Sequence, residues 1–324
     1  MTPRILLVTT SNDITTDYVI LALRERKIPH FRINTDAFPQ TSTASVTRSN
    51  TSQGTQWTGP EGTCDLNEIR AVYYRRQRIA TFPDHLDAGT KDFCARETAW
   101  FLQGTLQSLT HAAWMNPPAA VAAAEAKLYQ LHHAAHLGFR IPDTLTSNRA
   151  DDVRVFAARH QGRLVAKPVR SGYITYPTGQ GSIFTSTVSD EDLTDLSGLT
   201  LAPVTFQEHI LKACDLRVTV VGATVFATAI LSQEDPAART DWRAATDDHL
   251  HHTPHDLPDH IAQRCKALVL TLGLTFGAID LILTPSGEYV FLEINPSGQW
   301  AWLQDKTQIP ISDTIATWLE YHTR

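Results

Sequence analysis

The chain has 324 residues, of which 42% are hydrophobic and 19% are charged. A chain of this length and composition can bury a sizeable core, which excludes a mainly disordered protein. The formal net charge of −6 argues against broad binding to nucleic acid or to an anionic membrane surface, although a local basic patch is compatible with it.

The N-terminal sequence MTPRILLVTT has a short apolar run followed by polar residues, which is not the layout of a secretory signal peptide. No stretch is apolar over the length needed to span a bilayer. The cysteines are scattered without CxxC spacing, so we interpret them as free thiols and not as a disulfide framework or a zinc site. We therefore expect a cytoplasmic protein.

The first third of the chain predicts an α/β lobe. Residues 4–10 are typical of a buried parallel strand, residues 13–27 have helical spacing, and residues 30–34 predict the next strand. No glycine-rich fingerprint follows the first strand, so we do not expect a dinucleotide site there. Residues 40–63 are polar and predict loops or an irregular hairpin, and a helix is expected over about 90–111.

A basic cluster ends the strand predicted over residues 69–78, where Arg75, Arg76 and Arg78 stand at its exit. Strand exits in open α/β sheets often face ligand crevices. These arginines could therefore attract an acidic substrate that the overall negative charge would repel. The alternative is that they are solvated surface charges.

Asn116-Pro117-Pro118 breaks the chain and predicts a domain boundary. Residues 119–137 are alanine-rich and predict one helix that contains Lys127 and ends at Gly138. A lysine within a helix is usually a surface charge. A further short helix is expected over 151–160.

A glycine-rich segment follows a strand predicted over residues 163–167, which ends in Lys167. Gly172, Gly179 and Gly181 lie there among Ser and Thr residues, and backbone N–H groups of such a loop can lie over phosphates. The GxxxxGK[ST] pattern is absent, so this is not a Walker loop. Glycine-rich hairpins are common, so the segment gains meaning only together with other motifs.

The second half of the chain predicts antiparallel strands over residues 204–210, 215–221 and 224–230, the last two forming a hairpin about Gly222. Five histidines lie in a polar stretch whose spacing fits none of the common zinc patterns, which favours a surface loop over a zinc site. These histidines are His249, His251, His252, His255 and His260. Helices are expected at 259–272 and about 311–321.

The most informative stretch is GAIDLILTPSGEYVFLEINPSGQW, residues 277–300, which predicts two strands around a tight turn. Glu293 and Asn295 alternate onto one face of the second strand. A two-residue loop at Ser286-Gly287, or a four-residue loop, places Asp280 of the first strand opposite Glu293. An odd-length loop would put Asp280 on the other face.

Two carboxylates and an amide then converge on one face of the hairpin. Like charges that face each other destabilise a ladder, and a divalent cation would remove that penalty. A small set of oxygen ligands suits Mg²⁺ that also coordinates substrate phosphates. The alternative is an exposed polar face that carries ordinary solvated carboxylates.

In their order along the chain, these motifs resemble the ATP-grasp superfamily. The set is AxxKLxQL at Lys127, VAKP at Lys167, the glycine-rich loop, FQEHI at 206–210, DLRV at 215–218, Asp280, and LEINPSGQW at 292–300. The opening ILLVTTSNDITTDYV, the YYRRQR strand, DWR at 241–243 and the NPSGQW ending resemble the microviridin-type ω-ester and ω-amide ligases. These are ATP-grasp macrocyclases of ribosomally made peptides.

The resemblance implies an α/β fold in which ATP is clamped between two antiparallel sheets. It implies an N-terminal α/β domain over 1–115, a central subdomain with the glycine-rich loop over 116–203, and a C-terminal subdomain with the hairpin over 204–324. It assigns ATP contacts to Lys127, Lys167, Gly179, Gly181, Gln207, Glu208, His209 and Ile210. It assigns Mg²⁺ to Asp280, Glu293 and Asn295, and places Arg217 and Arg243 near the γ-phosphate and the forming acyl phosphate.

The implied reaction phosphorylates Asp or Glu side chains of a precursor peptide, and Ser or Thr hydroxyls or Lys amines then attack to give esters or amides. The implied partner is a precursor with a leader and an acidic core, which Arg75, Arg76 and Arg78 would help to hold. Members of the family often form homodimers. A RimK-like ligase that adds an amino acid to a peptide or protein and an inactive ATP-binding module are the alternatives.

Overall fold

The computed structural model describes residues 2–170, 172–176, 179–245 and 250–324. The N-terminal lobe is built on a parallel sheet with the strand order β2-β1-β6-β7, and a separate antiparallel sheet β3-β4-β5 packs beside it. Its elements are β1 (Ile5–Thr9), α1 (Ile14–Glu25), β2 (His30–Asn34), β3 (Thr43–Arg48), β4 (Gln53–Gly59), β5 (Gly62–Asp65), β6 (Ala71–Tyr74), α2 (Ala88–Gln107) and β7 (Ala113–Met115).

Two expectations for this lobe need correction. The polar stretch 40–63 forms most of the three-stranded antiparallel sheet, because Trp57 of β4 is buried against the ring of Phe38 and gives a largely exposed sheet one anchored face. The strand predicted over 69–78 ends at Tyr74, so the three arginines that follow lie beyond the sheet.

The central lobe contains an antiparallel sheet with the order β12-β9-β13-β8 and a separate hairpin, β10-β11. Its elements are α3 (Pro118–Ala124), α4 (Lys127–His136), β8 (Thr144–Ser147), α5 (Ala150–Arg159), β9 (Leu164–Lys167), β10 (Tyr173–Tyr176), β11 (Gly179–Ser182), β12 (Ser186–Thr187), α6 (Asp190–Thr194) and β13 (Val204–Glu208). Because β13 pairs with both β9 and β8, the central sheet extends past the domain limit that we predict at residue 203.

The single helix predicted over 119–137 is broken into α3 and α4. The Gln130 side chain accounts for the break: its amide nitrogen donates a hydrogen bond of 2.5 Å to the Ala124 carbonyl at the end of α3, and a second one of 2.8 Å to the Ile294 carbonyl in a strand of the C-terminal lobe. Alanine-rich propensity favours a continuous helix, but a tertiary contact can override it. Lys127 is therefore the first residue of α4 and not a position in the middle of a helix.

The C-terminal lobe is an antiparallel sheet with the order β16-β15-β14-β17-β18. Its elements are β14 (Cys214–Val221), β15 (Thr224–Ile230), β16 (His252–Pro254), α7 (Asp259–Thr271), β17 (Phe276–Leu283), β18 (Tyr289–Asn295), α8 (Ala301–Thr307) and α9 (Ile311–Tyr321). Leu268 and Val269 of α7 pack against Leu216, Val218 and Ile279 on one face of this sheet. The predicted α/β ATP-grasp architecture, with two antiparallel sheets, is confirmed.

Strand β18 lies at the edge of its sheet, and other parts of the chain cover its free side. The Gln130 amide bonds to both the N–H and the carbonyl of Ile294, at 3.0 and 2.8 Å. Nearer the turn, Phe291 N donates to the Arg140 carbonyl at 2.8 Å. The strand that carries Glu293 and Asn295 is thus held on both sides.

Among the described residues, no helix is both long and apolar enough to cross a membrane. Of the five histidines considered for zinc, His249 lies outside the described residues. Within the described part of the chain, the one group of side chains close enough to share an ion is Asp143, His160 and Glu208. The remaining four histidines of the polar stretch do not belong to it.

Candidate active site

The central and C-terminal sheets enclose a cleft that side chains of both sheets line. Lys167, at the end of β9, is only 8% exposed and faces Glu293 of β18 across the cleft. One arm of the cleft is lined by Gln207, Glu208, His209, Ile210, Asp280, Ile282 and Leu292. The other arm has a cavity volume of about 480 Å³ and is lined by Lys127, Gly172, Tyr173, Arg243, Glu293 and Asn295.

Asp280 and Glu293 are direct partners across β17 and β18, which confirms the predicted pairing. The predicted reason was wrong, because Thr284 N bonds to the Glu288 carbonyl and leaves an odd loop of three residues. The ladder near the turn pairs Leu281 with Phe291, and a bulge at Leu292 then shifts the register by one. The odd loop and the bulge compensate, so both carboxylates reach the cleft.

Arg217 is the register partner of Asp280 on the neighbouring strand β14. Its Nη1 atom lies 2.7 and 2.8 Å from the two carboxylate oxygens of Asp280. Burial raises the pKa of Asp280 despite the opposing Arg217 guanidinium, and the neighbouring Glu293 adds to the rise. A further cation at this carboxylate would therefore be favourable.

Glu293 lies at the centre of a group of cations. Lys127 Nζ is 3.0 Å from Glu293 Oε2, and Arg243 Nη1 is 3.7 Å from Oε1. Burial alone would raise the pKa of Glu293, but Lys127, Lys167 and Arg243 outweigh it and lower that pKa to about 2. Burial lowers the pKa of Lys167 to about 8, with Glu293 opposing this shift and Lys127 adding to it.

The donor set fits a magnesium–triphosphate group. Lys127, Lys167, Arg217 and Arg243 are four cations around the three carboxylates Asp280, Glu293 and Asp241, which leaves a surplus of one positive charge for phosphates. Asp280, Glu293 and the exposed Asn295 amide supply only oxygen ligands of the kind that Mg²⁺ prefers. Among the described residues, the buried Arg217 Nε atom has no hydrogen-bond partner.

The FQEHI segment lies at the far end of the cleft, where β13 ends. The Gln207 side chain is buried and donates to Thr144 Oγ1 at 2.9 Å, so it faces its own sheet. Glu208 Oε1 accepts from Asp143 N at 3.2 Å. Burial lowers the pKa of His209, and Lys212 adds to the shift. The main chain here can offer polar groups to a flat base, while Ile210 and Leu292 supply an apolar wall.

The glycine-rich segment forms the hairpin β10-β11, in which Tyr176 pairs with Gly179. A Cβ atom at Gly181 would lie 3.2 Å from the Tyr176 ring. At Gly172 a Cβ atom would lie 1.9 Å from the Ile183 carbonyl oxygen, so only glycine allows the two ends of the hairpin to approach. Through Gly172 and Tyr173, the hairpin borders the arm of the cleft that contains Lys127 and Arg243, which we call the phosphate arm.

The basic cluster does not act as one group. Arg75 is 2% exposed and bonds to Asp13 and to the main chain of residues 297–298, so it cannot hold an acidic peptide as predicted. Arg76 and Arg78 are exposed and line a cavity of about 320 Å³ together with Gln299 and Trp302. Arg217 Nη2 lies 3.5 Å from the Gln299 carbonyl oxygen, so this cavity adjoins the cleft.

Several charged residues that line the cleft were not among the predicted site residues. Asp241, only 5% exposed, accepts hydrogen bonds from Arg243 and from Thr185 N of the central lobe. Lys212 and Asp215 form a buried ion pair of 2.8 Å beside the cleft. The alternation of DLRV places Asp215 on the same face as Arg217, and this signal could have identified Asp215. Long-range partners such as Thr185 leave no local signal.

Residues 4–122 match the family model described as the MvdD pre-ATP grasp domain. The search of curated proteins gave no match.

Among solved structures, the chain is similar to macrocyclase MdnC of Microcystis aeruginosa MRC, bound with its precursor peptide MdnA. The sequence identity is 35% and the TM-score is 0.88, and the match covers 99% of this chain and 100% of MdnC. It is also similar to a Chryseobacterium gregarium RiPP-associated ATP-grasp ligase in complex with ADP and a leader and core peptide. The sequence identity is 31% and the TM-score is 0.91, and the match covers 99% of this chain and 97% of that ligase. For macrocyclase MdnB of Microcystis aeruginosa MRC, the sequence identity is 33% and the TM-score is 0.81, and the match covers 97% of this chain and 98% of MdnB.

The similarity to MdnC extends over the whole of both chains and includes the N-terminal lobe as well as the ATP-grasp lobes. The cleft described above carries the lysines, arginines and paired carboxylates that the motifs predict. The chain therefore belongs to the microviridin-type ATP-grasp peptide ligases, the family of the macrocyclases MdnB and MdnC.

Proposed function

We propose that this ATP-dependent ligase closes rings in a ribosomally made precursor peptide, with Mg²⁺ as its metal. The observation that carries the proposal is the cation group around the paired carboxylates Asp280 and Glu293, on the floor of a cleft between two sheets. The similarity to MdnC and to the Chryseobacterium ligase, both solved with peptides bound, supports a peptide as the substrate.

The chemistry follows from the charges in the cleft. A carboxylate is a poor electrophile, and transfer of the γ-phosphoryl group of ATP to an Asp or Glu side chain gives an acyl phosphate with a good leaving group. Lys127 and Lys167 bind the phosphates, and Arg217 and Arg243 stabilise the charge that moves during transfer. Asp280, Glu293 and Asn295 would hold Mg²⁺, which would neutralise part of the phosphate charge.

A nucleophile of the same peptide then attacks the acyl carbonyl and releases phosphate. We propose Ser or Thr hydroxyls for ester rings and Lys amines for amide rings. Water must be excluded, because an acyl phosphate hydrolyses. The β10-β11 hairpin borders the phosphate arm and carries Tyr173 and Tyr176, so it is suited to close over the nucleotide. Gly179 and Gly181 would let its backbone approach the phosphates.

The cavity lined by Arg76 and Arg78 is the candidate site for the acidic core of the peptide. Among the described residues, neither guanidinium forms an ion pair, so both charges are available to a ligand. Gln299 and Trp302 connect this cavity to the segment that follows Asn295. A core carboxylate bound in this cavity would lie next to the cleft, because Gln299, which lines the cavity, contacts Arg217 in the cleft.

The test is mass spectrometry of candidate precursor peptides, taken from open reading frames next to the gene for this protein, after incubation with the protein, ATP and Mg²⁺. Each ring should remove one water from the peptide, and one ADP should form per ring. Omission of ATP or of Mg²⁺ should leave the peptide mass unchanged. An unchanged mass with every candidate precursor would overturn the macrocyclase proposal, and transfer of a free amino acid onto a peptide would favour the RimK-like alternative.

A further inference from the structure

The four residues after Asn295 are held by their main-chain carbonyl groups. Each of these oxygens accepts a hydrogen bond from a side chain of a distant element. Asn116 Nδ2 donates to the Pro296 oxygen at 2.9 Å, and Arg75 Nη1 donates to the Ser297 and Gly298 oxygens at 2.8 and 2.7 Å. Arg217 Nη2 lies 3.5 Å from the Gln299 oxygen. We call residues 296–299 the carbonyl segment.

Arg75 reaches the carbonyl segment from the N-terminal lobe. Its Nε atom donates to Asp13 Oδ2 at 3.0 Å, and the Thr9 and Thr16 hydroxyls donate to the same Asp13 oxygen at 2.6 and 2.7 Å. The guanidinium is therefore fixed by a carboxylate on one side and by two carbonyl oxygens on the other. Only the planar fork of an arginine can satisfy both sides at once.

The carbonyl segment in turn fixes Asn295. Ser297 N donates to the Asn295 side-chain oxygen at 2.9 Å, and Gly298 N donates to the Asn295 main-chain oxygen at 3.2 Å. A Cβ atom at residue 298 would lie 2.3 Å from Ala278 Cβ, so the segment is pressed against β17. A shift of the Ser297 or Gly298 carbonyl would therefore turn the amide of Asn295.

We propose that Arg75 is a positioning residue for the metal end of the active site. By holding the Ser297 and Gly298 carbonyls, it orients the Asn295 amide oxygen and places the Gln299 carbonyl against Arg217. This inference rests on the proposed function, in which Asn295 is a Mg²⁺ ligand. It also gives the N-terminal lobe, which carries the candidate peptide cavity, a direct contact with the metal-binding strand.

The decisive variant is Arg75→Lys, because a lysine can keep the ion pair with Asp13 but cannot also hold both carbonyl oxygens. Mn²⁺ affinity of the protein with ADP, measured by electron paramagnetic resonance, should fall about tenfold, the usual effect of losing an outer contact of a metal site. Hydrogen exchange should become faster at the amides of residues 297–300. Affinity for the precursor peptide in the absence of nucleotide should fall less than the Mn²⁺ affinity does, because Arg75 itself is buried and cannot contact the peptide.

The double variant Asp13→Asn with Arg75→Met removes both buried charges together, so no unpaired charge is left to unfold the lobe. It should show the same two defects. Arg26→Lys is the matched control, because Arg26 also combines an ion pair, with Asp313, and a main-chain carbonyl contact, but at the α1–α9 contact away from the cleft. It should behave as the wild type does in all three measurements.

Wild-type exchange at residues 297–300 in a folded Arg75→Lys protein would overturn the inference. So would weaker peptide binding with unchanged Mn²⁺ affinity, which would make Arg75 a peptide contact. Absence of Mn²⁺–ADP binding to the wild-type protein would instead overturn the proposed function itself, and the wild-type sample separates these two failures.

Discussion

Glu293 lies directly opposite Asp280 because the strand β18 has a bulge at Leu292. The bulge lies on the turn side of the Asp280–Glu293 pair, next to the Leu281–Phe291 pair. Regular pairing from the three-residue loop would place Leu292 opposite Asp280 and turn Glu293 to the other face. The side chain of Leu292 still lines the arm of the cleft that contains Ile210. One extra residue therefore contributes both to the carboxylate pair and to the wall of the nucleotide pocket.

Glu293→Gln should abolish ATP-dependent dehydration of the precursor while the fold survives. Outer contacts of metal sites are worth roughly 10–100-fold, so loss of a ligand should lower the rate by about 100-fold or more. The rate is measured by mass spectrometry, and the fold by circular dichroism. Glu288→Gln is the control, since Glu288 lies on the exposed turn of the same hairpin and pairs with Arg140. Equal rates for the two variants would contradict the assignment of Glu293.

Arg78→Met should raise KM for the precursor and leave KM for ATP unchanged. An exposed ion pair contributes up to about 1 kcal/mol, so the expected rise is about fivefold and should shrink at high salt. Steady-state kinetics at two salt concentrations provide the measurement. Arg154→Met, on an exposed face of α5, serves as the control. A change in KM for ATP alone would place Arg78 in the nucleotide site instead.

Asp13 should make stability sensitive to acid. Burial would raise its pKa, but Arg75, the Thr9 and Thr16 hydroxyls and Arg76 together lower it below the usual value. A carboxyl with a lowered folded-state pKa stabilises the fold above its unfolded pKa of about 3.9, and this contribution is lost as pH falls through the folded-state pKa. The difference in the free energy of unfolding between wild type and Asp13→Asn should therefore shrink below about pH 4.

Urea denaturation at a series of pH values measures this difference. The exposed Asp84 provides the comparison, and the gap between wild type and Asp84→Asn should be small throughout. A gap for Asp13→Asn that stays constant down to about pH 3 would show that Asp13 carries no such linkage.

Gly298→Ala should destabilise the protein, because the added methyl group would overlap Ala278 Cβ. Overpacking of this kind costs about 1–3 kcal/mol. Ala278→Gly alone should cost about 1 kcal/mol, as glycine does in a strand. The double variant should lose less stability than the sum of the losses of the two single variants, because the overlap with the Ala278 methyl group is gone. If the double variant instead loses as much free energy of unfolding as the two single variants together, the carbonyl segment can move away from β17.

The sequence predicts features whose cause is local. Strand β2 and helix α9 agree with the structure in their limits, and the hairpin β14-β15 nearly so, because apolar periodicity and turn residues determine them. The cleft residues Lys167, Arg217, Asp280 and Glu293 were also predicted, because each lies in a strand with a clear local motif.

Features with a distant cause could not be predicted in this way. The break before Lys127 depends on Gln130, whose amide is also held by the Ile294 carbonyl of a distant strand. The burial of Arg75 depends on Asp13 and on carbonyl groups more than two hundred residues away. A cluster of arginines has the same local pattern whether it faces solvent or the interior. The bulge at Leu292 likewise depends on how β18 meets the rest of its sheet.

The cover over β18 limits how a peptide can be recognised. An open edge strand is a template for an additional strand, either from a bound peptide or from another copy in an aggregate. Here the Gln130 amide and the Arg140 carbonyl already use the hydrogen-bonding groups of Ile294 and Phe291. A substrate cannot dock by β-augmentation beside the metal-binding strand, and the same cover protects this apolar strand from edge-to-edge self-association.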